Sequence, residues 1–458
     1  MTRALVVAAA MSAAFAPAVA RGGGMFLPTR GVRPTARAGA FVAGADDLGA
    51  LWFNPAGLAA LRGRGARAAL VDASFVSQRV SYARIDSGFN EHEPVEDENP
   101  GLPIPTLGLA FGVGDDVVVA AGVLAPYAAL GRYPADGPQR YSLVDLSDAK
   151  MAIVEVAAGW QVGRRLRLGA AVQNLVSSLT STVVFNGCPG QTVCAPEDPE
   201  FDSLSRFEQS DAFSPSAVVG GQYSPHDRVR VGAAVQLPFR VSGEGRVRVV
   251  LPSSGFFDGA SVRGDRASMA FTLPAMLRLG VEVSPAARWR AEVAVDVELW
   301  SMHDEFALEP EDVAIENAAG VGTYEIGSLR VPRGFDDSVA VQIGLEGQPW
   351  AARPLTVAFG YAYETSAVPD RYLSVMTVDG DKHLVAAGVG YRLGATSLYA
   401  SASYTAMADR DVTPEEGRAP QLSPIRDDNQ DMPLDVYVNW GRYEASWLTV
   451  GLSLARTF

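Results

Sequence analysis

The amino-acid sequence predicts an all-β fold: a transmembrane antiparallel β-barrel of about fourteen strands, with a helical N-terminal segment in its lumen. Three observations predict it. Long stretches alternate apolar and polar residues with period two. The connections between them alternate between short turns and long polar loops, the pattern of an outer-membrane barrel. A helix-like segment, residues 39–58, precedes the strands.

The first element is a secretory signal, residues 1–20. Arg3 is its basic part, Ala4 to Phe15 its apolar core and Ala18-Val19-Ala20 its cleavage site, so the mature chain is expected to begin at Arg21. The apolar run is shorter than the roughly 18 residues a membrane helix needs. The chain is 48% apolar and 20% charged with a net charge of −14. That is too apolar and too patterned for disorder, and the acidic excess excludes nucleic acid as a partner. Cys188 and Cys194 stand close together in Cys-Pro-Gly-Gln-Thr-Val-Cys. In an exported chain such a pair reads as a disulfide closing a small loop. A metal site is the alternative, but companion His or Cys ligands are missing.

The second element is the N-terminal segment, residues 21–63. Asn54 suits an N-cap, Pro55 the first helical position, and Leu58 and Leu61 follow at one-turn spacing. Asp46 can cap an earlier turn running towards Trp52. Two readings stand: a plug inside a barrel, or a helix packed on the outside of a soluble β domain.

Strands fill residues 64–458. In Ala267–Ser284 the odd positions, from Ala267 to Val283, are apolar and place one face of a strand. Trp289–Trp300, Ser338–Glu346 and Pro354–Glu364 repeat the pattern. These runs exceed the usual five or six residues, as a tilted membrane strand of roughly 9–11 residues requires. Aromatic residues at strand ends (Trp289, Trp300, Tyr361, Tyr363, Tyr391, Trp440, Tyr443, Trp447) suit interfacial girdles. Six short turns and seven long loops make thirteen connections, hence fourteen strands. The last strand, Trp447–Phe458, alternates to a terminal Phe458 and looks like the signal read by the outer-membrane assembly machinery. Arg228, Arg230, Arg278, Glu282, Arg290, Glu292, Asp296 and Glu298 fall on the inward face, where a lattice of paired charges is expected.

With these elements in place, the chain resembles the long-chain fatty acid transporters of the outer membrane, a family of hydrophobic-compound channels that includes toluene and xylene uptake proteins. The resemblance covers nearly all of the mature chain. Residues 39–58 look like the family's hatch, with Asn54-Pro55-Ala56 matching its Asn-Pro-Ala signature. Leu273-Pro274-Ala275, Arg333-Gly334-Phe335-Asp336-Asp337-Ser338, Val368-Pro369-Asp370 and Asp379-Gly380-Asp381-Lys382-His383 also fit. The chain departs from the best-known members in that its external loops are not rich in bulky apolar residues.

The resemblance implies a hatch filling the barrel and a third strand kinked inward, with ligand leaving sideways through the resulting gap into the membrane. The hatch turn would be Asn54, Pro55, Ala56 and Gly57. The kink would lie at Gly122, Ala125, Pro126 and Tyr127, because the third strand, Val117–Ala125, runs into a proline that cannot donate to a ladder. The competing reading makes Pro126 the start of an external loop. Met25, Phe26 and Leu27 would touch the ligand's tail, or else pack the hatch. For a carboxylate head group the candidate cations are Lys150, Arg330 and Arg333. An enzyme would need a nucleophile beside a base, and none of His92, His226, His303 and His383 stands in a nucleophile motif. The resemblance implies passive passage of hydrophobic small molecules, foremost long-chain fatty acids, by a monomer among outer-membrane lipid and lipopolysaccharide. The alternatives are an aromatic-hydrocarbon channel and, behind it, a lipolytic enzyme or a general porin, which would have no N-terminal plug. No cofactor or metal is implied.

Overall fold

Alternate side chains of a strand face opposite ways, so a closed ring of strands can turn an apolar set to lipid and a polar set to its lumen. The structure, a computed structural model, describes residues 30–127, 130–188, 194, 197–319, 322–423 and 436–458. Among the described residues, fourteen barrel strands follow one another in chain order. They are β1 (Arg67–Arg84), β2 (Leu102–Val113), β3 (Val117–Leu124), β4 (Asp145–Val162), β5 (Leu166–Asn186) and β6 (Asp202–His226). Four two-part strands come next: β7 (Val229–Gln236 and Phe239–Val249), β8 (Arg266–Leu273 and Met276–Ala286), β9 (Trp289–Glu298 and Glu305–Glu311) and β10 (Leu329–Pro332 and Ser338–Gly347). β11 (Leu355–Glu364), β12 (Lys382–Leu393), β13 (Thr396–Met407) and β14 (Gly441–Thr457) complete the ring. β14 pairs with β1 from Gly441↔Arg84 to Thr457↔Ala68, which closes the barrel and removes its sheet edges.

Leu107, Leu109 and Phe111 on β2, Leu277, Leu279 and Val281 on β8, and Leu448, Val450 and Leu452 on β14 are exposed, while Arg278, Glu282, Glu292 and Asp296 are buried. Lipid faces the first set and the lumen holds the second. Arg228 is the exception to the expected inward set: it lies exposed in the turn after β6.

The wall changes character at one level. Gln236, Met276, Glu298 and Ser338 pair along one rung across β7 to β10. Just above it these four strands break, at Leu237-Pro238, Pro274-Ala275, residues 299–304 and residues 333–337. Across the break the pleat reverses: Leu277 and Leu279 face out below it, whereas Phe271 and Leu273 are buried above it. Ala267–Ser284 is therefore two strand halves of opposite facing, and a proline with no N–H to donate marks the joint. Trp300 falls in the break and is buried, so it belongs to no interfacial girdle. Trp440 and Tyr443 are also inside, the latter stacked on Tyr82 with ring centroids 4.3 Å apart.

Residues 30–62 form two short helices, α1 (Val32–Ala36) and α2 (Ala50–Phe53), and a 3-10 turn over Pro55–Leu61. α1 touches β11 to β14 and β1, and the 3-10 turn touches β2 to β6. A segment that meets a closed ring on opposite sides lies within it. Arg37 reaches Glu292 at 2.9 Å and Glu282 at 3.2 Å. Arg33 bonds Glu346 through two nitrogens, each at 2.9 Å. Asp46 pairs with Arg33 and Arg290 instead of capping a turn; Asp47 Oδ1, which accepts the Gly49 amide at 2.8 Å, does that work ahead of α2.

The fit depends on inward glycines. A Cβ at Gly159 would stand 2.7 Å from the Ala59 nitrogen, one at Gly169 2.2 Å from the Ala56 nitrogen, and one at Gly220 2.2 Å from Asn54 Oδ1. Gly360 and Gly388 face Ala38 and Ala36 in the same way. Glycine inside a strand marks the close approach of another backbone, and here that backbone is the N-terminal segment.

Candidate ligand pocket and wall gap

Above the break, upper strand halves enclose an apolar cavity. Leu179 of β5, Phe207 of β6, Met269 of β8, Phe306 of β9, Leu329 of β10 and Met376 of the loop after β11 line it. The reversed pleat explains these walls, because above the break the odd residues of β8 point inward. Strand extensions supply much of the apolar surface, beside loop residues such as Met376 and Leu422.

Arg333 stands at the edge of this cavity, 2% exposed. Its guanidinium lies over the rings of Phe306 at 5.1 Å and Phe335 at 4.9 Å, and it contacts Thr377 Oγ1 and, at 3.7 Å, Met376 Sδ. Among the described residues its Nε has no hydrogen-bond partner and no carboxylate forms an ion pair with it. Burial pushes its pKa down, to about 9. At neutral pH it remains a cation. A buried charge without a counter-charge is costly, and an incoming anion would remove that cost. The other two candidates are already neutralised at exposed positions. Lys150 pairs with Asp148 at 2.6 Å, and Arg330 pairs with Glu305 and with Glu309 at 3.6 Å.

His303 adjoins Arg333 and escaped the sequence reading as a site residue. Its Nδ1 meets the Thr272 carbonyl at 2.8 Å, and its ring lies 5.0 Å from both Phe306 and Phe335. Burial, and then the Arg333 charge, hold its pKa down at about 3, so the imidazole is neutral.

The wall has a gap at β3. β3 pairs with β2 as far as Leu107↔Val123 and with β4 as far as Leu124↔Ile153. β2 and β4 continue beyond, to Leu102 and Asp145, without it. The chain rejoins the wall at Gly131, whose carbonyl accepts the Leu146 amide at 2.8 Å. Between the two points Ala125-Pro126-Tyr127 turns inward. Tyr127 is 1% exposed, with its ring 6.2 Å from Trp52 and 6.0 Å from Phe239. Its hydroxyl lies 3.4 Å from Gln236 Nε2. Pro126 is buried with it.

The Asn54 turn stands elsewhere. Asn54 Nδ2 donates to the Val42 and Gly221 carbonyls, both at 3.1 Å, and its Oδ1 accepts the Ala56 amide at 3.2 Å. Pro55 and Ala56 lie on Gly169, and Gly57 lies on Ala45. These residues hold β5 and β6. It is Leu51 and Trp52 that reach the end of β3: a Cβ at Gly122, which faces inward, would stand 2.6 Å from Leu51 Cδ1. Met25, Phe26 and Leu27 lie outside the described residues. Arg30, the first described residue, pairs with Glu298 at 3.4 Å. Cys188 and Cys194 are joined in a disulfide, with Cα atoms 6.2 Å apart, beside an external apolar cluster containing Phe201, Phe257 and Ile315.

Comparisons with known proteins agree with this architecture. The family described as outer membrane protein transport protein (OMPP1/FadL/TodX) matches residues 13–437. The fold is similar to a Pseudomonas aeruginosa FadL homologue, with TM-score 0.74 and 17% identity over 95% of this chain and 99% of that one. It is similar to the Ralstonia pickettii toluene transporter TbuX, with TM-score 0.64 and 15% identity over 94% and 99%. The Pseudomonas putida toluene transporter TodX gives TM-score 0.61 and 16% identity over 92% and 98%. No curated protein matches the sequence.

Proposed function

Because this chain belongs to the outer membrane protein transport family (OMPP1/FadL/TodX) and is an outer-membrane transporter of hydrophobic compounds, we propose that its ligand is a long-chain fatty acid or a similar apolar carboxylate. The observation that carries this reading is Arg333: a buried cation without an ion-pair partner among the described residues, at the edge of an apolar cavity. Each methylene that leaves water for such a cavity contributes about 0.8 kcal/mol, and the head group gives Arg333 its counter-charge.

Residues 21–63 act as the hatch in this reading. The charge pairs and the glycine fit support a segment that stays seated and blocks a straight path down the lumen. Ligand then moves from the cavity past Trp52 and Tyr127 and leaves sideways at Ala125-Pro126. Lipid cannot satisfy backbone groups left without a ladder, and protein borders the gap from within. Transfer is passive and involves no catalytic step. Phe458, exposed at the foot of β14, serves recognition by the assembly machinery, and the chain works as a monomer. Similarity to toluene transporters supports an aromatic hydrocarbon as the second reading, but an uncharged ligand leaves Arg333 uncompensated.

Binding measured by calorimetry on detergent-solubilised protein tests this. A long-chain fatty acid is expected to bind at least about tenfold tighter than its methyl ester, the worth of one charged hydrogen bond, and Arg333→Met should abolish the difference. Equal affinity for acid and ester in the wild-type protein would exclude the carboxylate reading and favour the hydrocarbon.

A further inference from the structure

The ladder between β6 and β7 is interrupted, as are those between β8 and β9 and between β9 and β10 across the break. Strands β6 and β7 pair from Tyr223↔Val231 up to Val218↔Gln236, and again from Ser210↔Glu244 to Ser205↔Val249. The same number of residues separates the two rungs on each strand, so the register is kept. Above the Leu237 amide, which donates to the Ala217 carbonyl at 2.9 Å, however, the ladder is missing over residues 211–216 and 238–243. Pro215 and Pro238 lie in this stretch and have no N–H to give.

Side chains close the rest of the seam. The Asp211 carboxylate accepts the Ser242 amide from across the seam at 2.9 Å, and the Phe213 amide at 2.8 Å and the Ser214 hydroxyl at 2.7 Å from its own strand. Ser216 Oγ donates to the Leu237 carbonyl at 2.8 Å. On β5, Asn174 interrupts the outward apolar series of Val172 and Val176 and donates to the Ala212 carbonyl at 2.9 Å. A polar residue in a lipid-facing series is costly and marks a task; here it satisfies a carbonyl at the place where the β5–β6 register shifts, between Leu175↔Ser214 and Ser177↔Asp211. Phe213, 74% exposed, projects outward from the seam. On the lumen side lie Phe239 and Val241, both buried, and Phe239 packs against Tyr127.

We propose that the β6–β7 seam is a second lateral portal, latched by Asp211, that connects the lumen to the membrane for apolar ligands separately from the gap at β3. The latch works because a ladder opens only when many backbone bonds break together. This seam opens when one carboxylate releases Ser242, one hydroxyl releases the Leu237 carbonyl and one carbonyl, that of Ala217, releases the Leu237 amide. Segments held by few bonds open locally at low cost. Ligand that reaches Tyr127 meets the inner side of both openings.

The proposal rests on the reading of lateral release, and the experiment separates the two. The full-length protein in lipid nanodiscs is incubated with a long-chain fatty acid carrying a diazirine in its tail, irradiated and mapped by mass spectrometry. Probe dissolved in bulk lipid labels the lipid-facing residues of β14 and sets the background. Labelling of residues 211–217 or 237–241 is expected about threefold above it, a preference well under one hydrogen bond. Asp211→Ala should raise that labelling about tenfold, as loss of one charge-assisted bond would, and the milder Ser214→Ala should raise it less. Ala125→Trp, which obstructs the β3 gap, should leave seam labelling in place. Seam labelling at background in both wild-type and Asp211→Ala protein, with Ala125–Tyr127 labelled, overturns the second portal and leaves lateral release at β3 intact. Seam labelling unchanged by both latch variants overturns the role of Asp211. Background labelling at both openings overturns lateral release and the portal together.

Discussion

Glu292 on β9 and Arg37 in the N-terminal segment lie 2.9 Å apart, and neither side chain reaches solvent. The same carboxylate accepts the amides of Val42 and Ala43, each at 2.7 Å, and of Gly44 at 3.0 Å. One wall residue thus grips both the guanidinium and the backbone of the segment. Removing one partner of a buried pair costs about 3–5 kcal/mol because the other charge is stranded. Glu292→Ala is expected to leave the barrel assembled and to release residues 42–44. Hydrogen exchange at those amides should speed up by more than a hundredfold, about 3 kcal/mol of local opening, while β12–β14 exchange as before.

The inward glycines predict a second effect. At Gly220 a Cβ would stand 2.2 Å from Asn54 Oδ1. Gly220→Val is expected to cost about 1–3 kcal/mol through overpacking and to lift the Asn54 turn from β6. Asn54→Ala removes the cap and should cost about 1 kcal/mol. Planar-bilayer recordings would distinguish them: Gly220→Val should conduct ions where the wild-type protein and Asn54→Ala do not.

His303 supplies a pH dependence. Its folded pKa of about 3 lies below the usual imidazole value of about 6.5. Below the latter the unfolded chain takes up a proton that the folded chain refuses. The contribution of neutral His303 is whole above pH 6.5 and shrinks as pH falls towards 3, by about 2 kcal/mol at pH 5. The apparent melting temperature in detergent should fall between pH 7 and 5, and His303→Phe should flatten that slope.

The disulfide sets a simpler expectation. Intact mass after alkylation should show two thiols, at Cys188 and Cys194, only once the protein has been reduced.

What was legible in the sequence was whatever obeys a local period. The alternation of Leu277, Leu279 and Val281 with Arg278 and Glu282 sets the facing of β8 correctly, and the turn spacing places the strands in order. Legibility stops at Pro274, where the pleat reverses and Phe271 and Leu273 change sides. The cavity was hidden because its residues come from several strands and loops, and those of β8 lie past the joint where the period reverses. Arg333 stood level with Lys150 and Arg330, because Asp148, Glu305 and Glu309 could be seen to neutralise the other two only once the strands were paired. The seating of the N-terminal segment does leave a signal in the sequence. Gly159, Gly169, Gly220, Gly360 and Gly388 recur inside strands, where glycine is otherwise unfavourable.

The shared break in β7 to β10 separates two tasks that one continuous strand would bind together. Below it, residue type is dictated by lipid on one side and the N-terminal segment on the other. Above it, the upper halves begin anew, with their own facing and their own partners. A residue gained or lost within residues 299–304 or 333–337 would be absorbed there without shifting a rung of the lower wall. Selection can therefore recut the cavity around Arg333 for a longer, shorter or bulkier cargo while the membrane-embedded cylinder stays as it is. Relatives of this barrel should diverge in length above the Gln236–Met276–Glu298–Ser338 rung and keep strict spacing beneath it.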